Sequence, residues 1–204
     1  MGFYNPYGKR IFDVIFTSIG IIPLLPIMGI IALLIKLEDG GSIIFKHERV
    51  GYRFRKFKLY KFRTMVENAE KLGPSVTKAD DPRITKIGRF LRKYKLDELP
   101  QLFNVLKGEI SLVGPRPEVE KYIKHYEEDF KEILWKVKPG ITDYATLEFR
   151  NEEEILKGSK NTEEIYLQEV LPRKIELYKK YAKEISLLTD LKIIFKTFWR
   201  ILRG

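Results

Sequence analysis

The chain of 204 residues has no cysteine and only two histidines. Without thiols, disulfides, zinc–thiolate sites and cysteine nucleophiles are excluded, and the composition fits a reducing compartment. His47 and His125 are far apart in the sequence and have no ligand-like neighbours, so we interpret both as structural rather than metal-binding residues. No Ser-His-Asp arrangement is indicated, and the one near match to a phosphate-binding loop, GFYNPYGKR at the N-terminus, has the wrong spacing.

The composition predicts a globular protein with an anionic partner. Hydrophobic residues make up 44% of the chain and charged residues 32%, which is enough apolar material for one domain with a core. Lys and Arg number 38 against 28 Asp and Glu, a formal net charge of +10. This excess leaves nucleic acid, acidic lipid head groups and phosphorylated small molecules open as partners.

Residues 14–35 carry no charged side chain, and a straight helix of that length would cross the roughly 30 Å hydrocarbon core of a bilayer. Pro23 and Pro26 lie in the middle of this run, where each removes a backbone donor, and they predict a sharp bend. Basic residues flank both ends, Lys9 before the run and Lys36 after it. Because cytoplasmic flanks attract Lys and Arg, we expect the segment to enter one leaflet and return. A single span and a buried core helix are the alternatives.

The rest of the chain predicts a small hairpin among helices. Residues 43–50 and 54–63 have strand character, and 65–72 look helical. A further helix is expected to start with Asp81 as its cap and Pro82 in its first turn. After the KPGIT turn, the stretch DYATLEF is expected to be extended.

Two helices are predicted towards the C-terminus, 162–184 with a break or kink at Pro172, and a final helix from about residue 187. The final helix has apolar residues at helical spacing on one face, Leu188, Leu191, Phe195, Phe198 and Leu202. It has basic residues four apart on another, Lys192, Lys196 and Arg200. This pattern with Trp199 suits a helix that lies on an anionic membrane surface, and an ordinary helix packed on the core is the alternative. The predicted fold class is α+β and mostly helical, with a re-entrant membrane helix, a small β-hairpin or sheet, and amphipathic interfacial helices.

The adjacent carboxylates Asp97 and Glu98 are the strongest candidates for chemistry. An apolar helix is predicted to follow them and to end at Gly108, and Pro100 is tolerated only in its first turn. On the simple interpretation, Asp97 is the helix cap and Glu98 a first-turn acid.

The same location also suits attack on a phosphate. A carboxylate can attack phosphorus to form an acyl phosphate, which requires nearby cations to offset the charge. Lys61, Arg92 and Arg116 are the candidate cations. Mg²⁺ would be held by Asp97 and Glu98 together with phosphate oxygens.

The stretch KLDELPQLFNVLKGEISLVGPRP closely resembles the signature of the bacterial sugar transferase family, the monotopic phosphoglycosyltransferases. The resemblance covers nearly the whole chain and includes YGKRIFDVIF, IIFKHERVG, FKLYKFRTM, DPRITKIGRFLRK, KPGIT and LTDLKIIFKT. It implies transfer of a phosphosugar from a UDP-sugar to polyprenol (undecaprenyl) phosphate. The products are UMP and a polyprenol diphosphate sugar, the first membrane step of polysaccharide assembly.

The resemblance also implies residue roles. Asp97 is expected to be the nucleophile, which becomes covalently phosphoglycosylated, and Glu98 its partner in handling Mg²⁺ or a proton. Lys61, Arg92 and Arg116 match family residues around the phosphates.

The membrane arrangement is a further implication. The re-entrant helix is expected to break at Pro26, with Pro23 contributing. No extra N-terminal membrane helix is expected, so the chain resembles the minimal catalytic form, with 1–36 as the membrane helix and its flank and 37–204 as the catalytic domain. The expected location is the cytoplasmic face of the bacterial inner membrane, with membrane lipids as partners, no nucleic acid, and a homo-oligomer left open.

The sequence departs from the family pattern at two places. Leu25 stands where some members have Ser before the helix-breaking proline. Residues 143–154, DYATLEFRNEEE, replace a run that many members continue with Gly, an aromatic or Leu, Ala and Gln, so no sugar-contacting residue is assigned there.

Two rival functions remain for comparison. One is a non-catalytic, membrane-anchored module that binds anionic lipid or nucleic acid, for which two acids in a basic surface bring no benefit. The other is an ordinary glycosyltransferase, which would release UDP rather than UMP.

Overall fold

The computed structural model describes residues 4–73, 77–78, 80–126, 128–150 and 161–202. The helices of this part are α1 (Lys9–Asp39), α2 (Lys86–Lys93), α3 (Gln101–Lys107), α4 (Glu120–Ile123), α5 (Glu128–Lys136), α6 (Tyr144–Glu148), α7 (Thr162–Ile165), α8 (Leu171–Glu184) and α9 (Leu187–Leu202). Its strands are β1 (Ile44–Val50), β2 (Lys56–Phe62), β3 (Ser111–Val113) and β4 (Gly140–Thr142). The predicted α+β, mostly helical fold is confirmed.

The apolar run forms the long helix α1, which continues without interruption through Pro23 and Pro26. The helix ends at Gly40, whose φ of 73° is the left-handed conformation that glycine adopts without strain. The backbone N–H of Gly40 donates to the carbonyl of Lys36, which satisfies one of the free carbonyls of the last turn. The two prolines therefore lie within one helix, and the break expected at Pro26 does not interrupt it.

The side chains of α1 divide into a buried face and an exposed apolar face. The buried side chains include Phe12 near the start of the helix and Ile21, Met28, Ile31 and Ile35 further on, of which the last four are spaced by seven, three and four residues. The exposed face includes Ile19, Ile22, Ile30, Leu33 and Leu37. Among the described residues, α1 is the one helix long and apolar enough to cross a membrane. An exposed apolar face of this length is suited to contact with lipid.

Both ends of α1 are attached to the rest of the protein. Near its start, the Arg10 guanidinium donates to two carbonyls at the end of α3, at 2.6 and 2.8 Å. Asp13 accepts a hydrogen bond from the Ser111 hydroxyl at 3.0 Å. At its end, Asp39 forms an ion pair with Arg63. The two ends of the apolar helix are therefore held on the same body.

The buried carboxylate of Asp190 also ties the start of α1 to α9. It accepts hydrogen bonds from Lys9 Nζ at 2.5 Å, Tyr4 Oη at 2.6 Å and Tyr181 Oη at 2.7 Å. A fully buried carboxylate needs such partners, because burial without them is costly. The first turn of α1 is thus connected to the C-terminal helix through a side chain with no exposure to solvent.

The strands form two small sheets. β1 and β2 pair antiparallel, with Phe45 opposite Lys61 and His47 opposite Leu59, so these four side chains share one face of the hairpin. The predicted strands over 43–50 and 54–63 are confirmed. β3 and β4 pair in parallel, so their carboxyl ends meet at one edge.

Three of the predicted elements are wrong. Residues 65–72 contain only the single 3₁₀ turn Ala69–Lys71. The helix expected to start at Asp81 begins at Lys86 with Thr85 as its cap, because the Asp81 carboxylate is occupied by Arg83. The stretch after KPGIT is not extended but forms α6.

The helical prediction over 162–184 is confirmed. α7 passes through one π turn, Tyr166–Val170, into α8, and Pro172 lies in the first turn of α8, where its missing N–H has no helical partner to lose.

The final helix α9 has features of both interpretations made from its sequence, a helix packed on the core and a helix with an exposed apolar and basic surface. Ile193 is fully buried against the core, while Leu188 and Phe195 are 79% and 66% exposed. Lys192 and Lys196 are exposed, and the third cation of the basic face, Arg200, donates to a backbone carbonyl in α6. One face of α9 therefore packs on the core and another presents apolar and basic side chains to the surroundings.

Candidate functional site

Asp97 and Glu98 lie in a 3₁₀ turn, Leu96–Glu98, directly before α3. The turn follows Lys95, whose φ of 55° is left-handed. The helix itself starts at Gln101, with Pro100 in the cap position and no side-chain cap. Asp97 makes no capping hydrogen bond, so the interpretation of this residue as a helix cap is wrong.

Glu98 is held by two of the three predicted cations. Lys61 Nζ lies 3.0 Å from Oε1, and the Arg116 guanidinium reaches both carboxylate oxygens of Glu98 in a two-pronged pair. Burial alone would raise the pKa of Glu98, but Arg116 and Lys61 more than offset it and hold the pKa well below its usual value. Glu98 is therefore an ionised carboxylate with its charge compensated.

Asp97 is buried beside Glu98 and Lys61, and one of its carboxylate oxygens accepts no hydrogen bond from the described residues. Its Oδ2 lies 3.7 Å from Lys61 Nζ, and its Oδ1 is buried without a hydrogen-bond partner among the described residues. Burial raises the pKa of Asp97, Lys61 opposes the rise, and the negative charge of Glu98 adds to it. A buried carboxylate oxygen without a partner is costly and is retained at sites where a ligand completes it.

A close contact between two backbones positions Arg116. This residue follows β3 in the turn Gly-Pro-Arg-Pro, at the edge where β3 and β4 end. A Cβ atom at Gly140 would come within 2.1 Å of the Gly114 nitrogen, so only glycine allows the strands to meet there. The guanidinium also lies 3.5 Å from the Ile141 carbonyl of β4. The parallel pair thus holds the turn that carries Arg116 next to Glu98.

Arg92 reaches the same region from α2. A Cβ at Gly88 would lie 2.1 Å from the Thr64 carbonyl oxygen, so α2 can rest against the end of the hairpin only with glycine there. One turn later, Arg92 Nε donates to Thr64 Oγ1 at 2.9 Å. The positive charge of Arg92 lowers the pKa of Asp97. All five predicted polar site residues are therefore brought together.

The sequence reasoning missed a second ion-pair group beside the first. Arg49 Nη1 donates to Glu118 Oε1 at 2.9 Å, and Tyr166 Oη donates to the other Glu118 oxygen at 2.5 Å. The available signal was the position of Glu118, directly after the quoted motif and two residues beyond Arg116.

Asp143 is a further buried carboxylate that the sequence did not single out. It caps α6 by accepting from the Thr146 N–H at 2.6 Å, and its Oδ2 has no partner among the described residues. Burial raises its pKa to about 6, and Arg116 is among the charges that oppose the rise. It lies within the run 143–154 that departs from the family pattern, of which 151–154 are outside the described residues.

The carboxylate pair fits a magnesium ion that is completed by a substrate. In the part of the chain that the structure describes, no three His, Asp or Glu side chains form a metal-binding group of their own. Mg²⁺ commonly takes one or two carboxylates together with phosphate oxygens. The unpartnered Oδ1 of Asp97 is such a donor, and Glu98 lies beside it.

The fold and the site together define a protein with a long, exposed apolar helix and a buried carboxylate pair among cations, an arrangement suited to a phosphate-bearing molecule. The sequence comparisons agree with this class: residues 4–204 match the model of the family described as bacterial sugar transferase. The chain belongs to that family.

Two of the curated relatives described here cover nearly the whole chain, and a third covers about two thirds of it. A protein of Aeromonas hydrophila named UDP-N-acetylgalactosamine-undecaprenyl-phosphate N-acetylgalactosaminephosphotransferase is 37% identical over 96% of this chain and 44% of its own length. A protein of Escherichia coli named UDP-glucose:undecaprenyl-phosphate glucose-1-phosphate transferase is 35% identical over 96% of this chain and 40% of its own length. A protein of Bacillus subtilis named putative undecaprenyl-phosphate N-acetylgalactosaminyl 1-phosphate transferase is 46% identical over 66% of this chain and 70% of its own length. The chain thus spans less than half of the first two relatives.

Proposed function

We propose that this protein transfers a phosphosugar from a UDP-sugar to undecaprenyl phosphate and releases UMP. The family membership and the relatives' names support the reaction class. The single observation that carries the mechanism is the buried Asp97 Oδ1, which accepts no hydrogen bond from any described residue while cations surround its neighbour. A non-catalytic binding module would have no use for a buried carboxylate oxygen that lacks a hydrogen-bond partner.

Asp97 is the nucleophile because Glu98 is occupied. Both oxygens of Glu98 are engaged by Lys61 and Arg116, whereas Asp97 keeps one free. In the first step an Asp97 oxygen bonds to the phosphorus next to the sugar, and the bond from that phosphorus to the bridging oxygen breaks. UMP leaves with that bridging oxygen and its electron pair, and the phosphosugar stays on the enzyme as an acyl phosphate.

The second step regenerates the carboxylate. A phosphate oxygen of undecaprenyl phosphate bonds to the same phosphorus, the bond to Asp97 breaks, and undecaprenyl diphosphate sugar is formed. Lys61, Arg92 and Arg116 offset the phosphate charges in both steps, since a bare carboxylate would be repelled by the anion that it attacks. Arg116 also keeps Glu98 ionised beside Asp97.

Magnesium fits the same residues. Asp97 would hold Mg²⁺ together with phosphate oxygens of the substrate, Glu98 would add negative charge beside the ion, and the ion would supply charge neutralisation of the diphosphate.

The attachment of α1 supports a helix that enters and leaves the same leaflet. If α1 crossed the membrane, Asp13 at its start and Asp39 at its end would lie on opposite sides, yet both contact the same body. We place this body on the cytoplasmic face, where the basic flanks of α1 are expected. The exposed apolar side chains of α1 and α9 then face lipid.

The reaction is tested by its released nucleotide. Purified protein is supplied with undecaprenyl phosphate, Mg²⁺ and, in turn, UDP-N-acetylgalactosamine, UDP-glucose and UDP-galactose. We expect UMP from one of these sugars and none from the Asp97→Asn variant. Release of UDP would point to an ordinary glycosyltransferase, and an absence of any nucleotide product would contradict the proposal.

The membrane arrangement is tested by labelling. Because the chain has no cysteine, Tyr7→Cys and Ser42→Cys each introduce a single thiol at an exposed position beyond one end of α1. Both should react with an impermeant reagent from the cytoplasmic side only. Labelling of the two positions from opposite sides would exclude the re-entrant arrangement.

A further inference from the structure

His47 lies between the two ion-pair groups of the site. It shares a hairpin face with Lys61, whose Cα is a diagonal cross-strand neighbour at about 7–8 Å, and with Arg49 two residues further on. Lys61 contacts the Asp97–Glu98 pair, and Arg49 contacts Glu118. The imidazole is half-buried between these groups.

The neighbours of His47 determine which of its nitrogens carries the proton. Its Nδ1 lies 3.2 Å from Arg49 Nη2. Because a guanidinium only donates hydrogen bonds, Nδ1 must accept, and in the neutral ring the proton is on Nε2. Burial, followed by the positive charges of Arg49 and Lys61, lowers the pKa of His47 to about 4, against a smaller opposing effect of Glu118. The imidazole is therefore neutral at physiological pH.

The orientation of the ring is fixed through a chain of contacts. Arg49 is held by Glu118, and Glu118 is held in turn by the Tyr166 hydroxyl and the Val119 N–H. The Nε2–H at the other side of the ring has no partner among the described residues. It is a neutral, oriented hydrogen-bond donor on the face that carries Lys61.

We propose that His47 binds substrate, donating a hydrogen bond from Nε2 to a phosphate oxygen of the reacting molecules. The inference rests on the proposed function, since it names a further contact for the same substrates. Lys61, Arg49 and Arg116 already contact carboxylates of the protein, so their charge is partly compensated before a substrate arrives. The donor on His47 has no such internal partner and is available to the ligand.

The test uses three substitutions at His47 and one control. Gln offers both an acceptor for Arg49 and an N–H donor, Glu offers acceptors only, and Ala offers neither. His125, the other histidine, is exposed, so His125→Ala is the matched control. Thermal unfolding of every variant in nanodiscs establishes that it is folded before its rates are compared.

Two half-reactions identify which phosphate His47 contacts. Formation of the covalent phosphosugar adduct from UDP-sugar alone reports on the donor diphosphate, and its discharge by undecaprenyl phosphate reports on the acceptor. We expect His47→Ala and His47→Glu to slow one of these steps by about 10- to 100-fold, the usual value of a hydrogen bond to a charged group. His47→Gln should stay within about threefold of the wild type, and His125→Ala should be unchanged.

The outcomes separate this role from a structural one. If His47 only supported Arg49, Glu would serve at least as well as Gln, and that result would overturn the proposal. Rates within about twofold of wild type for folded His47→Ala in both half-reactions would also overturn it. A wild-type protein that releases no UMP from any UDP-sugar would instead contradict the proposed function, which is a distinguishable result.

The tautomer of His47 gives a readout that does not depend on turnover. With only two histidines, the imidazole nitrogens of the ¹⁵N-histidine-labelled protein can be assigned with His125→Ala. The free protein should show the Nε2–H tautomer of His47 at neutral pH. A proton on Nδ1 of His47 would overturn the proposal, because the donor would then point at Arg49.

Discussion

Two neighbouring substitutions should change the stability of this protein in opposite directions. Asp97→Asn and Glu98→Gln each replace a carboxylate by an amide of nearly the same shape. Glu98 is stabilised as an anion by Lys61 and Arg116, whereas Asp97 is destabilised as an anion by burial and by Glu98. We therefore expect Glu98→Gln to lower the free energy of unfolding and Asp97→Asn to raise it.

The magnitudes follow from the contacts. Removing one partner of a buried ion pair costs about 3–5 kcal/mol. The side chains of Lys61 and Arg116 remain 23% and 28% exposed, and solvent can replace part of the lost interaction. We expect a loss of about 2 kcal/mol for Glu98→Gln, which lowers Tm by roughly 4–8 °C in a chain of this size. For Asp97→Asn we expect a gain on the order of 1 kcal/mol, or roughly 2–4 °C.

The effects should depend on pH with opposite signs. The folded pKa of Asp97 lies above the ordinary aspartate value of 3.8, so its ionisation lowers the free energy of unfolding as pH rises from 3.8 to the folded pKa. The gain from Asp97→Asn is thus complete above the folded pKa and absent below about 3.8. The folded pKa of Glu98 lies well below 4.5, so its contribution is complete above 4.5 and is lost as pH falls through the folded pKa.

The assay is thermal unfolding in nanodiscs, followed by tryptophan fluorescence at neutral and at acidic pH. Asp80→Asn is the control, because Asp80 is an exposed carboxylate whose removal should change Tm little. A lower Tm for Asp97→Asn at neutral pH would mean that Asp97 stabilises the fold, and the assignment of its free oxygen to chemistry would lose its physical basis.

Two further predictions concern the cations. Arg116→Lys keeps the charge but not the two-pronged geometry towards Glu98, so we expect UMP release to fall roughly 10²-fold with a small change in Tm. Near-normal turnover would show that Arg116 has no role in the reaction. The double variant Lys192→Glu and Lys196→Glu should make the protein easier to extract with salt from anionic vesicles, because each basic residue lost removes about 1 kcal/mol of attraction to the anionic surface. Lys124→Glu, an exposed lysine outside α9, is the control, and equal salt sensitivity would mean that α9 does not contact the lipid surface.

The sequence predicted the main elements of this site because its residues fall in short, strongly patterned segments. The hairpin follows from the strand character on both sides of the Gly51–Tyr52 turn, and it brings Lys61 into place. The Asp97–Glu98 pair and Arg116 lie in one motif, and the structure joins them through Glu98.

What the sequence missed depends on side-chain contacts, one of which joins distant segments of the chain. The helix expected at Asp81 starts four residues later than its cap would require, because Asp81 binds Arg83 and Thr85 takes the capping role. The ion pair between Arg49 and Glu118 joins residues far apart in the chain, and no local sequence pattern predicts it. The proton position on His47 likewise depends on this link.

The covalent intermediate is the most direct test of the proposed mechanism. The protein is incubated with Mg²⁺ and the UDP-sugar that it accepts, without undecaprenyl phosphate, and its intact mass is measured before peptide mapping. We predict the added mass of one phosphosugar, attached at Asp97, and its disappearance when undecaprenyl phosphate is supplied. Asp97→Asn should form no adduct and Asp80→Asn should form it normally. Substantial turnover by Asp97→Asn, or turnover by the wild type that requires both substrates to be bound together with no adduct, would contradict the mechanism.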